Sequence, residues 1–157
     1  MIFTDAALEG NDDIATVGAV FLDRFSVMAT KQVLFFGEVV PPQVLKSFQR
    51  ESKKVISTLE VLPVALMMEL LGNFLLHRRV FWFIDNDAAR ASLINGTSTC
   101  AATVDVLKKI AMFSAQFPAF HWYSRVPSVS NIADAPSRLD FEHLHSLGAT
   151  RVHPKFT

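Results

Sequence analysis

The chain has 157 residues, half of them apolar and 14 of them phenylalanine, enough to bury a core within one domain. Its 15 Lys and Arg balance 15 Asp and Glu, which excludes a binder of nucleic acid by bulk charge; any basic surface must be local, or the domain must be tethered to a better binder. The single Cys100 excludes an internal disulfide and a cysteine-rich metal site and fits a reducing compartment.

Ile2–Ala7 is predicted as a short strand. Its opening, Met1-Ile2-Phe3-Thr4-Asp5, has neither the basic start nor the long apolar run of a secretion signal. A strand that starts so abruptly leads us to expect a domain excised from a longer polyprotein. After a polar turn at residues 9–13, Ala15–Asp23 and Gln32–Val40 are predicted strands, the latter rich in β-branched and aromatic bulk. Asp12, Asp13 and Asp23 fit turns and strand ends. Pro41-Pro42 closes this hairpin series. The charged stretch Lys46–Lys54 is expected to be a loop or a short solvated helix.

Ser57–Leu76 is predicted as a long helix, apolar nearly all round, of the kind that packs on a sheet. Pro63 is best tolerated in a first turn, so the start falls between Ser57 and Leu62. Pro63 and Glu69 interrupt the run Val61–Leu76, which is too short to span a bilayer. No membrane partner is expected, and the expected setting is intracellular, in the cytoplasm or nucleus.

Arg79–Ile84 is an unbroken strand pattern, expected to be central and covered on both faces. Asp87–Ile94 is a short helix stopped by Asn95-Gly96. Thr103–Phe117 is a helix, Ala119–Val126 a strand, and Ser137–Leu147 a last helix ended by Gly148. Three strands in succession and then alternating helix and strand predict a mixed sheet with helices on its faces. Residues 1–157 read as one domain, with a core over 1–140 and a C-terminal helix and tail over 137–157.

The chemistry is carried by carboxylates. A carboxylate at the end of a buried strand is costly unless it is paired or holds a cation. Asp5 and Asp85 both sit there, and strand ends of an α/β sheet are where ligands bind. Mg²⁺ takes a few carboxylates together with water and phosphate oxygens. Each acid also has a plainer role. Asp87 is expected to cap the helix that follows it, and Asn86 is a second candidate cap. Ser57-Thr58-Leu59-Glu60 has the form of a capping box. Glu69 is expected to pair with Arg78 or Arg79 or to lie at a solvated edge, and Asp134 can serve a turn. His121 lies on a strand, where a core or edge role is expected. His143, His145 and His153 form no metal-ligand pattern.

Four pieces in this order, IFTDAA, STLEVLPVAL, VFWFIDNDAARASL and WYSRVPSVSNIADAPSR, resemble the ribonuclease H domain of reverse-transcribing elements, in particular the DIRS-like and gypsy-like groups. The resemblance covers about residues 1–140, and the last piece is the most specific. It implies an α/β, ribonuclease H-like fold: a five-stranded mixed sheet flanked by helices on both faces, with the first strand central and the fourth beside it in parallel. It also implies that Asp5, Glu60, Asp85 and Asp134 hold two Mg²⁺ ions, with Mn²⁺ as a substitute, roughly 4 Å apart. The implied activity is two-metal hydrolysis of the RNA strand of an RNA–DNA hybrid. The implied partners are that hybrid and the adjacent reverse transcriptase domains of the parent polyprotein. Near the motifs, Asn86, Ser124, Arg125 and Ser128 are candidate strand contacts.

The chain departs from that pattern in three places. Pro63 follows Glu60 by three residues, where an uninterrupted helix is expected. The basic helical insertion that grips a hybrid in cellular enzymes is missing, and Lys108-Lys109 is too little to replace it. A histidine-bearing loop before the last Asp is not evident. The competing reading is therefore a catalytically weak or inactive module of the same fold with a binding or scaffolding role. Another member of the superfold, an exonuclease or integrase, is disfavoured by the Asn131-to-Arg138 ending. A phosphoaspartate domain would need an early acidic cluster and a late Lys partner.

Overall fold

Strands β1 (Ile2–Glu9), β2 (Ile14–Asp23) and β3 (Gln32–Val39) run antiparallel in succession. The computed structural model describes residues 1–23, 32–52 and 54–157. The β1–β2 turn bends through Gly10, Asn11 and Asp12, all at positive φ. Gly, Asn and Asp are the residue types that enter that region most readily. Asp12 and Asp13 are thus turn residues, as the sequence predicts.

Helix α1 (Pro42–Glu51) occupies most of the stretch left open between loop and helix. Pro42 opens it, where a missing N–H costs nothing, and Leu45 and Phe48 turn inward. Helix α2 (Val55–Leu75) begins earlier than the sequence suggested, so Pro63 sits in its interior. Proline cannot donate to the carbonyl one turn back. Packing overrides that loss, because α2 is buried on nearly every side, Pro63 included. Among the described residues α2 is the one helix long and apolar enough to cross a membrane, and most of it is enclosed by the rest of the fold.

β4 (Arg79–Ile84) pairs with β1 in parallel, and β5 (Phe120–Arg125) pairs with β4 in parallel. Between them lie α3 (Asp87–Asn95) and α4 (Ala101–Gln116). Gly96 stops α3 in the left-handed conformation, as expected of a C-terminal glycine. The sheet order is β5-β4-β1-β2-β3-β6. Its sixth strand, β6 (Thr150–Arg151), pairs in parallel with β3 and was not foreseen; two residues carry no periodicity.

The main core lies between one sheet face and the helices, with Ile2, Val17, Phe36, Leu59, Met67, Trp82 and Ile84 at its centre. A smaller core on the other face gathers Val20, Phe35, Ala133 and Leu144. Two corrections follow. β4 is not covered on both faces: Val80, Trp82 and Ile84 are buried, but Phe81 is 43% exposed, with Trp122 of β5 beside it at 55%. Nor is there one helix over Ser137–Leu147. The chain forms α5 (Asp134–Ser137) and α6 (Glu142–Ser146) instead. Leu139 at positive φ breaks them apart, and Asp140 Oδ1 then accepts the amide of Glu142 to start the second.

A candidate metal centre between β1 and the end of β4

The register of β1 and β4 brings the first two acids together. Phe3 is opposite Phe83, and their rings stack at 4.6 Å. Two residues further on stand Asp5, in the middle of β1 rather than at its end as expected, and Asp85, just past the end of β4. Glu60 reaches them from α2. The three residues each offer a carboxylate oxygen, all within 4.8 Å of one another. Asp5 and Glu60 are buried and Asp85 is half-buried.

Like charges this close, taken out of water, resist ionisation. Burial pushes Asp5 up to about 6; a hydrogen bond from Ser137 opposes the rise, and the charges of Asp85 and Asp134 add to it. Burial pushes Glu60 up to about 9, with Asp5 and Asp85 adding to it. Glu60 is not a capping residue. Helix α2 begins at Val55, and Ser57 donates its hydroxyl to the Lys54 carbonyl. Glu60 Oε2 is buried without a hydrogen-bond partner. An orphaned carboxylate oxygen facing two more carboxylates is a donor set suited to a hard divalent cation, so the residues fit the metal that the motifs imply.

Asp134 opens α5 and is close enough to raise the pKa of Asp5. It is not one of the three carboxylates in the tight cluster. Its Oδ1 instead accepts from Arg138 Nε at 3.1 Å. The loop that carries it is tied to β1 by two side chains the sequence reading did not single out. Asn131 donates its amide to the Thr4 carbonyl at 3.0 Å and accepts from the Ala133 amide. Ser137 donates to Asp5 Oδ2 at 2.5 Å. Both residues lie inside the motif Asn131-Ile132-Ala133-Asp134-Ala135-Pro136-Ser137-Arg138; two polar residues flanking an acid at fixed spacing were the available signal.

Asn86, not Asp87, caps α3: its Oδ1 accepts the Ala89 amide at 2.9 Å. Asp87 lies between Arg90 at 3.7 Å and Arg125 at 3.5 Å. The cap fell to Asn86 because α3 starts at Asp87, which leaves Asn86 outside the helix with extended backbone. Ser124 Oγ accepts from the Trp122 indole. Ser128 is exposed and begins a 3₁₀ turn. Arg78 pairs with Asp23 at 3.1 Å and stacks on Phe74, rather than meeting Glu69. His121 Nδ1 accepts from the buried Trp82 indole, a structural role. Lys108 pairs with Asp105, and Lys109 with the Thr157 carbonyl. Lys53 lies outside the described residues.

No protein-family model and no curated protein sequence matches this chain. Solved structures do. Ribonuclease H1 from the halophilic archaeon Halobacterium salinarum is 14% identical, with a TM-score of 0.56 over 90% of this chain and 96% of the other. The N-terminal ribonuclease H domain of a Mycobacterium tuberculosis protein, solved as a fusion with maltose-binding protein, is 14% identical, with a TM-score of 0.60 over 94% and 96%. LC11 ribonuclease H1, recovered from compost by metagenomics, was solved in complex with an RNA/DNA hybrid; it is 15% identical, with a TM-score of 0.57 over 92% and 97%. With helices on both faces of a mixed sheet and β4 parallel to a central β1, this chain has the ribonuclease H-like fold, extended by a sixth short strand.

Proposed function

We propose that this chain is a divalent-metal-dependent endonuclease that hydrolyses the RNA strand of RNA–DNA hybrids. The observation that carries the reading is the buried cluster Asp5–Glu60–Asp85, three carboxylates within 4.8 Å in a fold shared with ribonucleases H. Asp5, Glu60 and Asp85 would hold the metal, and Asp134 would join them from the loop side. Two Mg²⁺ ions held there, or Mn²⁺ in their place, would supply activation of a water and a counter-charge for the leaving oxygen.

The chain's own groups do the rest. Burial of Asp5 and Glu60 keeps water away, and Glu60 Oε2, without a hydrogen-bond partner, is free for a cation. Asp85 stands at the more open side of the cluster, toward an incoming strand. Hybrids are distinguished through the 2′-hydroxyls of one strand in the shallow minor groove. Asn86 is positioned for that task beside Asp85: its Oδ1 is committed to α3, which leaves its Nδ2 to donate. Ser124, Arg125 and Ser128 complete the candidate strand contacts. Membership of a retroelement reverse transcriptase, with that polyprotein's other domains as partners in the cytoplasm or nucleus, rests on the four motifs alone.

Cleavage of an end-labelled RNA–DNA hybrid in Mg²⁺ or Mn²⁺ tests this reading. RNA-strand products that vanish in Asp85→Asn support it. No cleavage by the unaltered chain sinks it and leaves the alternative, an inactive or weak module of this fold that binds or scaffolds. The neutral net charge favours that second reading.

A further inference from the structure

Asp5, Gly18 and Gly37 stand side by side in one row across β1, β2 and β3. A β-carbon added to Gly18 would lie 2.7 Å from Ser137 Cα, and one added to Gly37 would lie 2.6 Å from the Phe141 ring. Neither site accepts a side chain. The two glycines thus cut a slot in the sheet, and the turn holding Asp134 and Ser137 lies in it, backbone against backbone. Seated this deep, Ser137 is fully buried. Its Oγ is 2.5 Å from Asp5 Oδ2 and 2.8 Å from the Asp134 carbonyl oxygen. A hydroxyl has one proton to donate. When Asp5 is ionised its carboxylate is the stronger acceptor. The carbonyl of Asp134 alone would satisfy a buried serine, so the reach to Asp5 does more than seat the turn.

We propose that Ser137 is a positioning residue for the metal centre: it fixes the carboxylate of Asp5 and couples it to the turn that carries Asp134, and the Gly18–Gly37 slot brings it within reach. The proposal rests on the reading of Asp5, Glu60 and Asp85 as metal ligands. Ser137 itself touches neither metal nor substrate. By tying Oδ2 it sets the rotation of the carboxylate and leaves Oδ1 as the oxygen it does not hold. Groups that orient a metal ligand in this way typically change metal affinity by 10–100-fold when removed. Through the same turn, Ser137 links two acids that are far apart in the chain.

The test is Mn²⁺ binding to the full chain by titration calorimetry, for the unaltered protein and for Ser137→Ala, Ser137→Cys and Asp85→Asn. Thermal melts in EDTA serve as the folding control. Ser137→Cys keeps the branching with a larger terminal atom and offers a weaker donor. The expected result is a dissociation constant raised roughly 10–100-fold in Ser137→Ala and by less in Ser137→Cys. Their EDTA melts should not follow that order, which a purely structural role would make them do. Mn²⁺ binding within twofold of the unaltered chain in Ser137→Ala overturns the positioning role alone. If the unaltered chain and Asp85→Asn both give no Mn²⁺ signal, the metal reading falls and this proposal falls with it.

Discussion

Asn131 donates its side-chain amide to the carbonyl of Thr4, 127 residues away in sequence, and so anchors the loop that carries Asp134 to the strand that carries Asp5. Both partners are buried. Truncation at Asn131 would leave the Thr4 carbonyl and the Ala133 amide without partners. Unsatisfied buried groups cost about 1–3 kcal/mol each. Asn131→Ala is therefore expected to destabilise the fold by about 2–6 kcal/mol, read as an earlier midpoint in urea. It should also weaken Mn²⁺ binding, since the loop is freed. An unchanged midpoint would show that water replaces the lost bonds at no cost.

The metal-free fold should lose stability as pH rises. Asp5 moves from its ordinary 3.8 to about 6, and Glu60 from 4.5 to about 9. Both shifts are upward, so between the unfolded and folded values the native state holds more protons than the unfolded one. Stability then falls with pH. Asp5 contributes its loss between about 4 and 6, and Glu60 between about 4.5 and 9. In EDTA the melting temperature should decline from pH 5 to pH 9. Glu60→Gln removes the larger contribution and should flatten the decline. Mg²⁺ binds the ionised acids, so its stabilising effect should grow over the same window. A melting temperature in EDTA that does not change with pH, or an undiminished decline above pH 6 in Glu60→Gln, would refute the assignment.

Asp85 and Asp87 are two residues apart and are expected to behave in opposite ways. Asp85 belongs to the carboxylate cluster. Asp87 makes exposed ion pairs with Arg90 and Arg125, a type worth roughly 0.2–1 kcal/mol. Asp85→Asn should abolish hybrid cleavage and Mn²⁺ binding while keeping the fold. Asp87→Asn should cleave nearly as well as the unaltered chain and melt within a few degrees of it. The reverse outcome would move the metal centre off the strand end.

Much of this arrangement is legible in the residues. Asp5 and Asp85 stand out because a carboxylate at the end of an apolar strand needs a reason. The pairing of β1 with β4, which makes them neighbours, is implied by the resemblance of the motifs; the order of strands and helices alone predicts a mixed sheet. Glu60 was ambiguous because Ser57 three residues earlier imitates a cap, and Pro63 drew the helix start toward itself. Its burial depends on packing that no local pattern encodes. The cap of α3 was misplaced by one residue because Asn86 and Asp87 are both good caps. The break between α5 and α6 depends on the backbone of Leu139, and the two-residue strand β6 on a partner far away in β3. The bond from Ser137 to Asp5 spans 132 residues and needs two glycines on two other strands, a coincidence visible only in three dimensions.

The last expectation concerns affinity for the hybrid. Each phosphate neutralised on a duplex adds about 0.9 to the slope of log affinity against log salt. The chain carries 15 basic and 15 acidic residues, and several of the cations near the site are already engaged. Arg125 faces Asp87 and Arg138 faces Asp134. With no net positive charge and the arginines beside the motifs already paired, the isolated chain should bind a hybrid weakly, with a slope of about −2 to −3, and should cleave slowly. Bound divalent ions would offset the charge of the acidic cluster, so the site itself need not repel a phosphate. Fusion to a polymerase region that holds the same hybrid should raise the rate by raising local concentration. A salt series of hybrid binding by Asp85→Asn, which cannot consume its substrate, measures the slope directly. A slope steeper than about −5 would mean that Lys46, Arg50 and Lys54, together with Lys53, Lys108 and Lys109, act as one basic surface. In that case tethering would no longer be needed to explain efficient cleavage.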